Sequence, residues 1–546
     1  MSAVIGITFG NTTSSIAVAT QDGKVDVIAN PDGDRSIPSA LSYVGSDEYH
    51  GTQAQNQLIR NAPNTVVNFR DYIGKKYEEI NAKDSHQVGA PAIKAADGGI
   101  AYEITRNGNQ ETLSVNEITK RHFKQLKLAA EDYIGKDIEG VVITVPTDFT
   151  AHQREELTKV SNEAGLKVLQ LINEPSAALL AHLSNEEDKL LQDKIYVVAD
   201  FGGIRSDAAV ISVRGGVLTI LATAHDHGLG GSKLDAALAE FFAKEFEKKY
   251  KANPRTNQRS LAKLIAESVV VKKTLSNVQT STCSIESLAE GFDFHTTINR
   301  LRYELTARQP LSEMTAFVEK VVTKAGLETL DIDEVLLVGG SSHTPKLASN
   351  VSFIFPESTV VVAPSLDSKA ANPSELIARG AALQASLIES FDEEEVKESL
   401  QPVVVNTQHL AKPIGIKTAD GQFQPILVAE TAYPIKKSVE VTNGDSAAVA
   451  IQLFEGKRTI KETVIEAEKS EDPEDSEDDY SDEEPEIKKE VVYEAGQLLA
   501  ELTLKDLKPN SKLEVIVNVT QDGTLHVSGR ELKQGSVAVK GEVTSA

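Results

Sequence analysis

The sequence predicts an α/β domain built from two related halves, followed by an all-β domain. Over residues 1–395, short apolar strands alternate with longer amphipathic stretches, which is typical of α/β proteins. A strand–turn–strand unit with small residues at its turn occurs twice, over residues 4–20 and 195–213. The repeat indicates a duplicated core with a cleft between the copies. From Ile414, short strands are separated by glycine turns, as expected of a β domain.

Length and charge limit the class of protein. A chain of 546 residues is too long for one hydrophobic core, so at least two domains are expected. Its net charge of −25 repels phosphate backbones and anionic lipids, so neither nucleic acid nor a membrane is an expected direct partner. No apolar run approaches the roughly 20 residues of a membrane helix, and a cytoplasmic protein is predicted. A single cysteine, Cys283, leaves no internal disulfide and no cysteine-built metal site.

The first domain begins with the strand "VIGITF", which ends at a glycine turn. The runs "VVITVP", "IYVVADFGG", "VLTILATA" and "VLLVGGSS" are predicted to be buried strands because they are short, apolar and rich in β-branched residues. The stretch "HQREELTKVSNEAGL" has apolar residues at helical spacing and predicts a helix that ends near Gly165.

The second domain is predicted at residues 409–546, after a linker at 396–408 that contains the apolar run "LQPVVV". Asp420-Gly421 and Asp522-Gly523 predict hairpin turns within it. An acidic insertion at about 466–490 carries so many like charges that it is expected to be a disordered, solvated loop. Ser476 and Ser481 precede acidic residues in this insertion and are candidate phosphorylation sites.

Three glycine-rich turns follow strands of the first domain. Glycine lets backbone N–H groups approach phosphate oxygens, and neighbouring hydroxyl groups add donors. One such turn is weak support, because tight turns use glycine for steric reasons alone, but three in one α/β domain predict phosphate binding. The turns comprise Gly10, Asn11, Thr12 and Thr13; Asp200, Gly202 and Gly203; and Gly339, Gly340 and Ser341.

Taken in order, "GITFGNTTSS", "INEPSAALLAH", "VVADFGGIRSDAAV", "GLGGSKLD" and "LLVGGSSHTPK" resemble the seventy-kilodalton heat-shock chaperones of the DnaK type. The resemblance implies an α/β actin-like ATPase fold, with two lobes around a central nucleotide cleft, and ATP as cofactor. It continues into "LFEGKR" and "DGTLHVSGREL", which resemble the family's peptide-binding β-sandwich. It adds Lys272 and Ser276 to the turn residues as implied ATP contacts.

The chain departs from the family pattern where catalysis would occur. Thr8 replaces the aspartate that organises Mg²⁺, and Arg70 replaces the lysine that holds the attacking water. Ile204 and Arg205 replace a glycine and a threonine of the second turn. Phosphoryl transfer depends on the metal, the held water and their positions. The expectation is therefore ATP binding without hydrolysis, no catalytic or metal-binding residue, no requirement for Mg²⁺, and Arg205 as a partner of a phosphate.

Other polar residues of the first domain have a structural alternative. Glu174 is the family's cleft glutamate, but in an inactive site it is as readily a hydrogen-bonding group between the lobes. Asp200 is equally able to orient its turn alone. His182, His225 and His227 are expected to be structural or exposed, because their spacing is not that of metal ligands.

The β domain also departs from the pattern. The sequence ends about fifteen residues after "LHVSGREL", so the helical lid of an active chaperone is not expected. Ile416, Ala419, Val449 and Ile451 fall roughly where a peptide or partner groove is implied. An apolar sandwich interior is the alternative at these positions.

These departures and the acidic insertion resemble the family branch of the fungal ribosome-associated complex. That resemblance implies a stable heterodimer with a zuotin-type J-protein, and ribosome association through that partner. It implies co-chaperone action on the nascent polypeptide by stimulating a separate ribosome-bound heat-shock chaperone. Two alternatives stay open: an active chaperone ATPase that binds unfolded peptides, and a nucleotide-exchange factor.

Overall fold

The structure is a computed structural model, and it describes residues 3–20, 24–80, 88–184, 192–389, 391–400, 407–465, 486–533 and 535–543. The chain divides into two compact units, Met1–Val405 and Asn406–Ala546. None of the helices in the described ranges has both the length and the apolar character needed to cross a membrane.

The strands of the first unit lie in several sheets. They are β1 (Ala3–Phe9), β2 (Thr13–Ala19), β3 (Val25–Ile28), β4 (Ile37–Pro38), β5 (Ala40–Val44), β6 (Asp47–His50), β7 (Thr65–Val67), β8 (Ala92–Lys94), β9 (Ile100–Arg106), β10 (Asn109–Ser114), β11 (Ile138–Val145), β12 (Val168–Asn173), β13 (Lys194–Phe201), β14 (Ser206–Arg214), β15 (Val217–Asp226), β16 (Thr280–Ala289), β17 (Phe292–Asn299), β18 (Glu334–Val338) and β19 (Val360–Val362).

Helices cover the sheets of this unit. They are α1 (Gly51–Asn56), α2 (Leu58–Asn61), α3 (Val115–Ile134), α4 (Ala151–Glu163), α5 (Glu174–Leu183), α6 (Gly231–Tyr250), α7 (Gln258–Asn277), α8 (Arg300–Thr306), α9 (Arg308–Lys324), α10 (Pro345–Ile354), α11 (Leu376–Ile388) and α12 (Glu393–Ser399). The helix predicted to end near Gly165 is α4, and Thr150 caps it by accepting a hydrogen bond from the Gln153 N–H. Helix α12 includes the first residues of the predicted linker.

The repeat read from the sequence is present in the two largest sheets of the first unit. The first sheet has the order β12-β11-β1-β2-β3 and the second has the order β19-β18-β13-β14-β15. In each, an antiparallel hairpin pairs with a parallel strand, at β1 with β11 and at β13 with β18. Equivalent hairpin turns therefore follow β1 and β13, and these are two of the predicted phosphate turns.

Each sheet has its own buried core. In the first sheet, Ile5, Ile7 and Ile143 are fully buried and pack with residues of α3. In the second sheet, Val197, Val210 and other strand residues pack with the apolar faces of α6, α7 and α9. Strands buried on both faces read as continuous apolar runs, which is why the sequence identified them.

The second unit contains β20 (Ile414–Lys417), β21 (Phe423–Leu427), β22 (Ile435–Thr442), β23 (Val449–Ile465), β24 (Glu486–Leu504), β25 (Lys512–Val519), β26 (Leu525–Glu531) and β27 (Val539–Val543). They form two four-stranded sheets, ordered β21-β20-β23-β24 and β22-β25-β26-β27, around one apolar core. The predicted hairpin turns lie between β20 and β21 and between β25 and β26.

One boundary of the predicted acidic insertion is wrong. Residues 486–490 are not loop, because they begin β24 and pair with residues 461–465 of β23. The pairing with β23 and the cross-strand ion pair between Lys489 and Glu462 hold this segment as a strand despite its charge. The rest of the insertion, with Ser476 and Ser481, lies outside the described residues.

Candidate functional site

The three predicted phosphate turns converge on one space in the first unit. A Cβ atom placed on Gly203 would lie 2.5 Å from the Cγ2 of Thr12, so the two hairpin turns touch each other. The Ser341 hydroxyl donates a hydrogen bond to the Gly202 carbonyl at 3.0 Å, which joins the third turn to the second. A Cβ on Gly339, where φ is +83°, would lie 2.2 Å from an Asp200 carboxylate oxygen, so only glycine fits there.

Backbone amides at the two hairpin tips are available to a ligand. The Gly10 N–H donates across its own turn to the Thr13 carbonyl at 3.0 Å, and the Gly202 N–H donates to the Arg205 carbonyl at 3.0 Å. These bonds close both turns and leave the tips between them. Within the described part of the chain, the tip amides without a partner are those of Asn11, Thr12, Gly203 and Ile204. Clustered free N–H groups of this kind bind anions.

Asn11 adds an unpaired side-chain donor to the same tip. The residue is 5 % exposed, and its Oδ1 accepts a hydrogen bond from the Asp71 N–H at 3.2 Å. Its Nδ2 is buried without a partner in the described residues. A buried amide donor left unpaired costs free energy, so this atom fits a ligand oxygen. The turns therefore fit a phosphate group.

Lys272 and Ser276 lie on α7 beside the second turn and have partners of their own. The Lys272 ammonium donates to the Gly231 carbonyl at 3.1 Å and pairs with Asp235 at 2.8 Å. The Ser276 hydroxyl donates to the Lys272 carbonyl. The Gly231 N–H donates to the Gly202 carbonyl at 2.9 Å, which links this group to the turn. Their implied contact with the nucleoside stays a prediction.

The remaining turn residues lie at the edges of the same space. Thr13 is the first residue of β2, and its carbonyl closes the first turn. Gly340 and Ser341 begin a 3₁₀ turn that ends at His343. The His343 Nε2 lies 3.2 Å from both the Asn372 Oδ1 and the Ser374 Oγ.

Arg70, which stands in place of the family's lysine, is buried and bonded to carboxylates. Its Nε donates to Asp71 at 2.8 Å, and its Nη1 donates to Glu174 at 2.9 Å and to the Phe9 carbonyl at 3.3 Å. Burial alone would lower the pKa of Arg70, but Asp71 and Glu174 outweigh it and raise the pKa. Three of the five donors of the arginine are therefore used inside the protein.

Arg205 is held in the same way, and its expected role as a phosphate partner stays a prediction. The residue is 5 % exposed. Its Nε donates to Asp207 at 2.7 Å, its Nη1 to Asp71 at 2.9 Å, and its Nη2 to Asp148 at 3.1 Å and also to Asp207. Four of its five donors thus serve three carboxylates.

Two histidines that the sequence reading set aside belong to this cluster. The His225 Nδ1 lies 2.7 Å from Asp207, and the His227 ring lies 3.1 Å from Asp148 and 3.5 Å from Asp71. The sequence signal that could have found them is their spacing of two residues, with His225 near the end of β15 and His227 in the turn that follows. We call the whole cluster the ionic clasp: Arg70, Asp71, Asp148, Glu174, Arg205, Asp207, His225 and His227.

The ionic clasp links the two halves of the first unit. Asp71 and Asp148 belong to the half that contains the first sheet, whereas Arg205 and His227 belong to the half that contains the second. Burial would raise the pKa of Asp71, but Arg70 and Arg205 hold it well below its usual range. Asp71 is therefore ionised at neutral pH, where it pairs with Arg70 of its own half and with Arg205 of the other half.

The clasp includes a metal-like set of ligands, but a guanidinium fills it. Asp148, Asp207 and His225 each offer a ligand atom, and these atoms lie within 4.8 Å of one another. The Nη2 of Arg205 donates to both carboxylates. Since a positive group already lies between them, these residues do not fit a divalent ion.

Glu174 and Asp200 line the floor of the site beneath the clasp. Together with Asp207 they border a cavity of about 10 Å³, which is close to the space that one water molecule needs. Burial raises the pKa of Asp200, and the neighbouring Asp207 raises it further. Burial also raises the pKa of Glu174, although Arg70 opposes it.

The clasp predicts a pH-dependent stability that depends on His227. Hydrogen bonds to Asp148 and then Asp71 raise the pKa of His227 to about 9, from the 6.5 of a free histidine. Because the folded state binds this proton more tightly than the unfolded state, protonated His227 contributes its full stabilisation below pH 6.5. This contribution is lost as the pH rises through 9. We expect wild type to exceed His227→Gln in unfolding free energy at pH 6 and to match it above pH 9.5.

This prediction is measured by urea unfolding at half-unit pH steps, with His152→Gln as the control. His152 is 64 % exposed and lies 4.0 Å from Glu155, so its replacement should leave the pH profile unchanged. A difference between wild type and His227→Gln that is constant from pH 6 to 10 would contradict the assignment.

The residues of the implied groove in the second unit do not form one surface. Ile416 on β20 and Ile451 on β23 are 5 % and 7 % exposed and belong to the core of the unit. Val449 is partly buried against that core, whereas Ala419 lies in the exposed turn after β20. The apolar-interior alternative therefore describes Ile416 and Ile451, because both point between the two sheets.

Sequence comparisons identify similar proteins over almost the whole chain. A family model described as "Hsp70 protein" matches residues 4–467. The "Ribosome-associated complex subunit SSZ1" of Saccharomyces cerevisiae is 52 % identical over 545 residues, which cover 99 % of this chain and 100 % of that protein. A heat shock protein 70 homologue of Schizosaccharomyces pombe is 45 % identical, covering 98 % and 95 % of the two chains. "Heat shock 70 kDa protein 14" of Danio rerio is 30 % identical, covering 100 % and 99 %.

Proposed function

This chain belongs to the Hsp70 family, and from that premise we propose that it is a non-hydrolysing, ATP-binding co-chaperone subunit of a ribosome-associated complex. The observation that carries the proposal is the ionic clasp. Two arginines stand where the family has a lysine and a threonine, and both are bonded to carboxylates. The site keeps the donors that bind phosphate and lacks the groups that activate water.

The proposed ATP binding rests on the two hairpin turns. The free amides of Asn11, Thr12, Gly203 and Ile204 and the buried Nδ2 of Asn11 are donors for phosphate oxygens. When bound, ATP would place its negatively charged phosphate oxygens against these donors. Backbone N–H groups neutralise such charge without a metal, so Mg²⁺ is not required.

The proposed lack of hydrolysis rests on Arg70 and Arg205. Hydrolysis needs a held water and positive charge at the transferred phosphate. Arg70 is bonded to Glu174 at 2.9 Å, so the arginine and the glutamate satisfy each other instead of positioning a water. Because Arg205 neutralises Asp148 and Asp207, these two carboxylates are not free to hold a metal. Losing groups that act together leaves little catalysis.

The proposed setting is the cytoplasmic ribosome. The S. cerevisiae relative is named as a subunit of a ribosome-associated complex, which supports a stable heterodimer with a zuotin-type J-protein. A net charge of −25 disfavours direct rRNA contact, so the partner would bind the ribosome. The pair would then assist the nascent polypeptide by stimulating a separate ribosome-bound heat-shock chaperone.

The experiment that tests the proposal is purification of the native complex followed by nucleotide analysis. We expect a J-protein in equal amount with this chain, ATP as the bound nucleotide, and no ADP formed from labelled ATP in a single-turnover assay. Turnover lost on Glu174→Gln would instead indicate an active chaperone ATPase. Accelerated ADP release from another Hsp70, without a bound J-protein, would indicate a nucleotide-exchange factor.

A further inference from the structure

A cavity of about 250 Å³ lies in the half of the first unit that contains the first sheet. The turn before β4, the end of β6 and the middle of α3 enclose it, and none of its lining residues belongs to the ionic clasp. Two histidines line it, His50 on β6 and His122 on α3. The described residues of its wall include no lysine or arginine, so a positive charge inside it has to come from a ligand.

The hydrogen bonds of His122 determine which of its ring nitrogens carries the proton. The Ser39 hydroxyl donates to the Gly10 carbonyl at 2.8 Å. The Ser14 Oγ lies 3.0 Å from the Ser39 Oγ and 2.9 Å from the His122 Nε2. Each hydroxyl has one proton to donate, so Ser39, whose proton bonds Gly10, accepts a proton from Ser14. The Ser14 oxygen in turn accepts a hydrogen bond from the Nε2–H of His122.

His122 therefore has an unpaired acceptor. The residue is 1 % exposed, and burial lowers the pKa of His122 to about 3, with a further contribution from His50. The ring is neutral at pH 7, and with its proton on Nε2 it has a lone pair on Nδ1. This Nδ1 has no hydrogen-bond partner among the described residues. A buried acceptor without a partner costs free energy, so this nitrogen fits a donor on a ligand.

Other acceptors line the same cavity. The His50 Nε2 lies 2.9 Å from a Glu48 oxygen. An ionised carboxylate can only accept, so a neutral His50 ring has its lone pair on Nδ1, which is buried without a partner in the part of the chain that the structure describes. Arg121 balances the charge of Glu48 through an ion pair at 2.6 Å. Asp32, which accepts a hydrogen bond from Gln53 at 2.8 Å, leaves one negative charge at the cavity.

Apolar side chains complete the wall and indicate the class of ligand. Ile37, Leu126 and Ala129 are buried and line the cavity. A primary ammonium group on an alkyl chain combines three N–H donors and a positive charge with an apolar body. Within the described chain, the histidines and acids of this cavity are not among the groups with metal-ligand spacing. An organic cation therefore fits the cavity better than a metal ion.

We propose that this cavity binds a primary alkylammonium group that donates a hydrogen bond to the Nδ1 of His122. His50 and Asp32 provide a second acceptor and the opposite charge, and the alkyl chain packs on Leu126 and Ala129. The group belongs either to a free amine or to a lysine side chain of another polypeptide. The proposal does not depend on the proposed function, since it needs neither bound nucleotide nor the ionic clasp.

The test titrates the full chain by calorimetry at pH 7.5 with n-pentylamine, tetramethylammonium and n-pentanol. Tetramethylammonium has the charge without N–H donors, and pentanol has the alkyl chain without the charge. We expect pentylamine to bind at least about tenfold more tightly than either, because a charge-assisted hydrogen bond needs both a charge and a donor. N-acetyl-lysine amide distinguishes the two sources: affinity similar to that of pentylamine indicates a lysine side chain, and no binding indicates a free amine.

Variants of the wall locate the binding. Ala129→Leu adds three carbons to the wall and should weaken pentylamine binding at least about fivefold, because the added side chain occupies the cavity. Asp32→Asn should weaken it about threefold by removing an attractive charge, whereas Asp97→Asn should leave it unchanged. Asp97 is the matched control, because it is exposed in the turn before β9 and accepts a hydrogen bond from the Gly99 N–H at 2.9 Å.

The ¹⁵N resonance of the unprotonated Nδ1 of His122 gives a direct readout of the contact. Pentylamine should shift this resonance, because the lone pair accepts a hydrogen bond, and should leave that of the exposed His152 unchanged. Equal affinity for the three probes, unaltered binding by Ala129→Leu, or a His122 resonance that does not move would overturn the proposal. Absence of pentylamine binding would overturn it too, and would mean that the cavity holds water only.

Discussion

Arg205→Met should destabilise the first unit by about 3–5 kcal/mol, because it removes one partner of a buried ion network and leaves the others charged. Arg205 bonds Asp71, Asp148 and Asp207, and Arg205 itself is 5 % exposed. Methionine fills a similar volume, so the loss is mainly of charge and hydrogen bonds. The measurement is the free energy of urea unfolding of the full chain without nucleotide at pH 7.

Arg255→Met is the matched control, because Arg255 also bonds carboxylates through several nitrogens. It donates to Glu240 at 2.9 and 3.0 Å and to Glu247 at 3.1 Å, but Glu240 and Glu247 are each 47 % exposed. Exposed pairs contribute about 0–1 kcal/mol. Adding Asp207→Asn to Arg205→Met should recover part of the loss by removing an unpaired charge. A cost for Arg205→Met no larger than that for Arg255→Met would contradict a buried clasp.

The convergence of the turns could be predicted from sequence because each turn follows a strand with its own apolar signature. The repeated hairpin placed Gly10 and Gly202 at equivalent points of two similar sheets. Strand direction then brought the tips together, since corresponding ends of related sheets face a shared cleft. Local pattern and topology were sufficient, and no side-chain partner had to be known.

The clasp could not be predicted, because its members are distant in sequence and have no common motif. Asp148 follows β11, His225 is the last residue but one of β15, and Asp71 lies in a 3₁₀ turn. Charge alone suggested Arg205 as a phosphate partner. Its carboxylate partners depend on how the two halves of the unit approach, which no periodicity encodes.

The second unit gives a similar lesson about faces of strands. Isoleucine is common both in ligand grooves and in cores, so residue type alone does not place Ile416 and Ile451. The register of each strand decides which face of the sheet the side chain occupies. Charged composition also concealed the start of β24, because residues 486–490 contain a single apolar side chain among four charged ones. Composition predicts disorder over long segments better than it predicts where a strand begins.

ATP should stabilise the wild-type chain in EDTA, and Gly203→Val should abolish that stabilisation. Ligand at one hundred times its Kd adds about 2.7 kcal/mol to the unfolding free energy. A Cβ at Gly203 would lie 2.5 Å from the Thr12 Cγ2 and 2.9 Å from its Cβ, so valine must separate the two tips that carry the free amides. The measurement is thermal unfolding with and without ATP, in EDTA and again in Mg²⁺.

Gly228→Ala controls for loss of a glycine near the same cleft, because the nearest atom to its new Cβ is an Asp226 oxygen at 3.7 Å. This variant should keep the full ATP effect. Comparing each variant with and without ATP separates binding from folding, since a turn that merely misfolds lowers the unfolding temperature of the nucleotide-free chain. Stabilisation that appears only with Mg²⁺ would mean that a metal, and not the amides of the turns, neutralises the phosphates. Equal stabilisation of wild type and Gly203→Val would place the nucleotide away from the two hairpin tips.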